Sequence, residues 1–122
     1  MAGKLQGLRT LIYPVDDLDA AKSWWSSFLG AKPYFDEVFY VGFNIGGYEL
    51  GLLPGQDPSE GAYVYWGVED VEAAVASAIA QGASVHSPPT DVGEGIVTAL
   101  VRNPQAALVG FIFNPNFALQ GY

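Results

Sequence analysis

Asp16-Asp17-Leu18-Asp19-Ala20-Ala21, closing on Leu29-Gly30-Ala31, is written a second time as Glu69-Asp70-Val71-Glu72-Ala73-Ala74, closing on Gln81-Gly82-Ala83. Asp17 and Asp70 lie 53 residues apart, and Gly30 and Gly82 lie 52 apart, in a chain of 122 residues. Self-similarity at a period near half the length means that one supersecondary unit is used twice. Each copy reads as a helix. An aspartate N-cap offers its side-chain oxygen to an amide of the first turn, an acidic residue follows within that turn, and a glycine supplies the stop. Leu18, Ala21, Trp25, Phe28 and Leu29 recur at helical spacing in the first copy, and Val71, Ala74, Val75 and Ala78 in the second, so these residues are expected to face inward.

Outward from the helices, apolar and β-branched runs predict strands. One precedes each helix, at Leu8 to Val15 and Tyr63 to Val68. The first helix is followed by runs at Pro33 to Asp36, Phe39 to Ile45 and Tyr48 to Leu53, with Gly46-Gly47 as the tight turn between the last two. After the second come a short strand at Ser84 to His86, a loop at Pro88-Pro89, and strands at Ile96 to Arg102 and Leu108 to Phe113. Between Ser87 and Gly95 the alternation is weak and assigns neither strand nor loop. The order βαβββ, twice, places the chain in the α+β class. Residues 1–122 read as one domain: module one about 5–54, a linker at 55–61 rich in turn formers, module two about 62–114, and a tail at 115–122 whose Phe117, Leu119 and Tyr122 suit docking on the body.

Half of the residues are apolar, enough for a core at this length. Five Lys and Arg against thirteen Asp and Glu give a net charge of −8, which argues against nucleic acid, because phosphate backbones need a basic surface. The acidic balance fits either solubility or a preference for cationic ligands. No cysteine is present, so disulfide and thiolate chemistry are excluded. Met1 to Gly7 lacks the apolar stretch of a secretion signal, and no run is long enough to cross a bilayer as a helix, so a cytoplasmic protein without a membrane partner is expected.

The duplicated unit, the strand-ending Val15-Asp16-Asp17-Leu18-Asp19-Ala20-Ala21, the helix reaching Leu29-Gly30 and the late Asn103-Pro104 before the last strand resemble the vicinal oxygen chelate superfamily. That superfamily holds glyoxalase I, bleomycin resistance proteins and extradiol dioxygenases, and the likeness covers essentially the whole chain. It implies two βαβββ modules forming a curved mixed sheet, a glyoxalase-like cup that holds the site, and a homodimer. Metal-binding members place a His, Gln or Glu on the first strand of each module and usually a Glu on the last. Carried over, those positions are Thr10 and Tyr63, then Gly51 and Gly110. None is a usual ligand, so neither a metal nor another cofactor is expected. Glu49 lies two residues before Gly51 and shares its face, but one carboxylate is not a metal site. His86 matches none of the positions and reads as a satisfied or solvent-exposed histidine.

Strand alternation orients the rest. With Leu11, Tyr13 and Val15 under the first helix, Thr10, Ile12 and Pro14 face the cup. With Val64, Trp66 and Val68 under the second, Tyr63, Tyr65 and Gly67 face it too, joined by Glu49, Gly51, Leu53, Gly110 and Ile112. The candidate ligand-binding set is therefore Thr10, Ile12, Glu49, Gly51, Tyr63, Tyr65, Gly110 and Ile112. The two glycines read as free volume for an organic ligand with a flat face, the tyrosines as ring faces with hydroxyls, and Glu49 as a partner for a cation or a hydrogen-bond donor. Trp24, Trp25 and Trp66 read as core or dimer interface. Tyr34, Phe35, Phe39, Tyr40, Phe43 and Tyr48 crowd one hairpin and suit dimer closure. Two functions are expected, metal-independent binding of a small, partly aromatic or cationic molecule, or a lyase or isomerase in which Glu49 is the general base and Tyr63 or Tyr65 donates to a developing oxyanion; a scaffold or regulatory domain without a ligand is the third alternative.

Overall fold

Both aspartates cap their helices as the repeat predicts. In the computed structural model, which describes residues 5–116, the Asp17 carboxylate accepts from the Ala20 amide and Asp70 from the Ala73 amide, each at 3.0 Å. The helices are α1, Leu18–Leu29, and α2, Val71–Ala80. Gly30 ends α1 in the left-handed conformation at φ 65°, which a residue with a Cβ resists. After α2, Gly82 at φ 101° turns the chain so that the Ala83 amide donates back to the Ala78 carbonyl at 3.0 Å.

The strands are β1 (Leu8–Val15), β2 (Phe35–Glu37), β3 (Tyr40–Ile45), β4 (Tyr48–Pro54), β5 (Tyr63–Gly67), β6 (Ser84–Gly93), β7 (Ile96–Arg102) and β8 (Leu108–Phe113). With the two helices they give the βαβββ order twice, as expected for the α+β class. The linker forms one 3-10 turn, Pro58–Glu60, capped by Asp57.

Two compact units divide the chain. In residues 10–63 the strand order is β2-β3-β4-β1, antiparallel except that β1 runs parallel to β4. Leu18, Ala21, Trp25 and Leu29 of α1 pack with Leu11, Tyr13 and Val15 of β1 onto buried Val41, Phe43, Leu50 and Leu52. The other unit, residues 64–116 with 5–9, has the order β5-β8-β7-β6, with β5 parallel to β8. There Val71, Ala74 and Val75 of α2 pack on Val68, Ala99, Val101 and Phe111. Residues before Thr10 join this unit through two backbone bonds, Gln6 amide to Gly67 carbonyl at 2.7 Å and Gly67 amide to Gly7 carbonyl at 2.8 Å.

Three local expectations change. A strand does run through the stretch after Ser87: β6 spans ten residues and pairs antiparallel with β7, with register shifts between Val85 and Ser87, between Ser87 and Thr90, and between Asp91 and Gly93. Pro88 and Pro89 are tolerated because β6 is an edge strand and both fall inside a shift, where no ladder amide is needed. β2 is shorter than expected, although pairing begins with the Tyr34 amide on the Gly42 carbonyl at 2.9 Å. Phe28 is not inward: it is 69% exposed and stacks on exposed Trp24, ring centroids 4.9 Å apart. Trp25 instead fills the core position against Tyr13. Phe117, Leu119 and Tyr122 lie outside the described residues. Among the described residues no helix is long and apolar enough to cross a membrane.

Leu52 has 0% exposure beneath α1, so Leu52→Ala is expected to lower unfolding free energy in urea by about 2–5 kcal/mol. Phe28→Ala is expected to cost about 1 kcal/mol or less, because it removes a surface ring pair rather than core volume.

Candidate functional site

In the unit of residues 10–63, the sheet face opposite α1 carries an unusual group. Because Leu11, Tyr13 and Val15 point at α1, Thr10 and Ile12 point the other way. Register pairs Thr10 with Glu49 and Ile12 with Gly51 across the parallel ladder, and Gly42 with Gly51 and Asn44 with Glu49 across the β3–β4 hairpin. The first-strand position Thr10 thus stands beside Glu49 itself, with Gly51 one step further along.

Glu49 is 8% exposed and Thr10 5%. The Thr10 hydroxyl donates to Glu49 Oε1 at 3.2 Å, and the Tyr34 and Tyr40 hydroxyls donate to Oε2 at 2.6 and 3.0 Å. Burying a carboxylate without partners costs several kcal/mol, whereas each hydrogen bond to a charged group returns about 1.5–3 kcal/mol. Three such bonds are enough to hold the group in place without a cation. Among the described residues the salt bridge found is Lys22 to Asp36 at 3.1 Å, and none involves Glu49. No buried side-chain polar atom among the described residues lacks a hydrogen-bond partner.

Both tyrosines reach Glu49 because the sheet beneath them is bare. A Cβ on Gly42 would lie 2.9 Å from Tyr34 Cε1, and one on Gly51 would overlap the Tyr40 hydroxyl, with Tyr40 Cζ at 2.6 Å. These contacts are closer than side chains tolerate, so the cross-strand glycine pair is the floor on which the two rings lie. Phe35 adds a further ring: its centroid is 6.4 Å from Tyr34, 5.8 Å from Phe39 and 6.1 Å from Tyr40.

The other unit repeats the glycine device. Register pairs Tyr65 with Gly110 and Gly67 with Ile112. A Cβ on Gly110 would lie 2.5 Å from Tyr65 Cδ2, so that ring occupies the glycine's space. Tyr65 is 7% exposed, Ile112 4% and Tyr63, at the start of β5, 8%. The Arg9 side chain covers Gly67 in the same way. A groove of about 410 Å³ lies at the end of α2 beside the β7–β8 hairpin, lined by Ala78, Val101, Pro104, Val109 and Phe111, and its lining holds no ionisable side chain.

The free volume expected over Gly51 and Gly110 is therefore not there, because Tyr40 and Tyr65 fill it. Thr10, Glu49 and Gly51 lie together on one sheet face. Tyr34 and Tyr40 belong to the site rather than only to an aromatic surface patch. Tyr40 carried a signal: the Gly46-Gly47 turn sets Ile45 opposite Tyr48 and so puts Tyr40 on the Glu49 face. Tyr34 carried none, since it precedes its strand. His86 is exposed on β6. Among the described residues no three His, Cys, Asp or Glu side chains converge as a metal site, and both Glu49 oxygens already accept hydroxyl bonds, so the residues present do not fit the superfamily's metal.

The sequence matches the model of the Glyoxalase/Bleomycin resistance protein/Dioxygenase superfamily over residues 7–111, and the chain belongs to that family. No functionally curated protein matches. Among solved structures, a Glu-to-Gln variant of Streptomyces coelicolor methylmalonyl-CoA epimerase in complex with 2-nitronate-propionyl-CoA is 18% identical, with TM-score 0.76 over 92% of this chain and 99% of that one. The epimerase from Mycobacterium tuberculosis is 17% identical, with TM-score 0.72 over 89% of this chain and 88% of its own. A structure described as NAD-dependent benzaldehyde dehydrogenase from Legionella pneumophila is 14% identical, with TM-score 0.67 over 85% of this chain and 96% of that one. At these identities the likeness is one of fold.

Gly51→Ala is expected to destabilise the protein by about 1–3 kcal/mol, the usual cost of overpacking, and to cost markedly less in a Tyr40→Ala background. A urea double-mutant cycle measures the difference.

Proposed function

We propose that this protein binds a small, partly aromatic or cationic organic molecule at Glu49 and does so without a metal ion. The observation that carries this reading is the buried carboxylate itself, held by three neutral hydroxyls and salt-bridged to no basic side chain among the described residues. Hydroxyls offset desolvation but do not cancel charge, so the site favours a positive group. The ring of Tyr34, whose hydroxyl contacts Glu49, and that of neighbouring Phe35 suit a cation or a flat aromatic system. The net charge of −8 adds a long-range field of the same sense. Thr10 and Glu49 are the polar contacts in this reading, Ile12 is the apolar neighbour, and Gly51 acts through the ring it accommodates.

A second reading is favoured by the likeness to structures whose titles name methylmalonyl-CoA epimerases. In it Glu49 abstracts a proton from a carbon next to a carbonyl. Thr10 donates to Oε1 and the two tyrosines to Oε2, and a carboxylate has about four acceptor positions, so Oε1 can take the proton with all three bonds in place.

Thermal-shift titration separates the possibilities. Ni, Zn, Mn and Fe, each with and without chelator, are expected to leave the melting temperature unchanged, while aromatic amines raise it by several degrees at about 100 times Kd. Chelator-reversible stabilisation by a metal would overturn the reading. Incubation with methylmalonyl-CoA in heavy water is expected to give no deuterium uptake, and uptake abolished by Glu49→Gln would establish the isomerase instead.

A further inference from the structure

The three donors to Glu49 are not equivalent. Thr10 is 5% exposed on β1, and Tyr40 is half-buried on β3 with its ring set over Gly51. Tyr34 is 49% exposed, and it precedes β2, a three-residue strand at the edge of the β2-β3-β4-β1 order. Its ring lies on Gly42, and its hydroxyl makes the shortest of the three bonds, 2.6 Å to Oε2. The strongest hydrogen bond on the carboxylate thus comes from the donor with the most solvent around it.

Resting on the reading of Glu49 as a ligand-binding carboxylate, we propose that Tyr34 is a displaceable cover over Glu49, and that the ligand it yields to is a protonated primary or secondary amine on a flat apolar group. Rotation of Tyr34 about its Cα–Cβ bond frees one position on Oε2 while Tyr40 stays on Oε2 and Thr10 on Oε1. That position accepts a hydrogen bond, so the incoming group must bring a donor to replace the hydroxyl it removes. An N–H ammonium supplies both donor and charge. A quaternary ammonium supplies charge alone and leaves Oε2 with Tyr40 only; an alcohol supplies a donor without charge and gains nothing over the tyrosine it replaces. The displaced Tyr34 ring, with Phe35 beside it, then offers faces to the cation and its apolar group.

Calorimetric titration with benzylammonium, benzyltrimethylammonium and benzyl alcohol tests this. Benzylammonium is expected to bind about tenfold tighter than either other probe, the worth of one charge-assisted hydrogen bond. Tyr34→Phe removes the competing hydroxyl and keeps the ring, so it is expected to tighten benzylammonium binding about 3–10-fold. Glu49→Gln is expected to abolish binding. If Tyr34→Phe leaves benzylammonium affinity unchanged or weakens it while Glu49→Gln still abolishes binding, the cover is refuted and the Glu49 reading stands. If benzyl alcohol binds as tightly as benzylammonium, if Glu49→Gln changes nothing, or if no probe binds, both are refuted.

Discussion

A carboxylate set 8% exposed on a β-sheet, with three neutral hydroxyls donating to it, constrains the half of the chain that contains it. Glu49 needs donors on both oxygens, and they must come from side chains long enough to cross the sheet. Tyr34 and Tyr40 are long enough only if nothing projects beneath their rings, which requires glycine at two directly opposed positions, 42 and 51. The composition of this hairpin, with tyrosines and phenylalanines interleaved with glycines, follows from that single demand. The opposite face of the same strands obeys a different rule: Val41, Phe43, Leu50 and Leu52 alternate with the site residues and form the floor of the α1 core. One stretch of sequence thus builds the core with one parity and the site with the other.

Most of the fold could be read in the chain because its signals were local. Aspartate caps, glycine stops and two-residue alternation act over a few residues, and α1, α2, β1, β7 and β8 follow them closely. β6 escaped because its pairing partner, not its own alternation, makes it a strand, and because two prolines at an edge cost no ladder bond. Phe28 escaped because helical periodicity marks a stripe wider than the core beneath it; Trp25 filled that space and left Phe28 stacked on Trp24 outside.

The site was legible in part for the same reason. Thr10, Ile12, Glu49 and Gly51 share a face by parity alone. What fills the space above a glycine is decided by residues elsewhere, so Gly51 and Gly110 looked like vacancies when they are seats for Tyr40 and Tyr65. That pair of seats is common to the two units: each places a tyrosine ring over a glycine on its last strand, and in the first the hydroxyl is directed to an acid. Membership of the superfamily therefore leaves open which chemistry this chain performs. Here one carboxylate and three hydroxyls stand where several metal ligands would have to converge.

The central claim, that Glu49 is an organic-cation site and not a remnant of a metal centre, is tested most directly by amide NMR. Amide spectra of the labelled protein would be recorded during separate titrations with an aromatic ammonium and with zinc. The account predicts saturable shifts at Thr10, Gly42, Glu49 and Gly51 with the ammonium and none there with zinc. Saturable shifts at those four amides with zinc, and none with the ammonium, would contradict it.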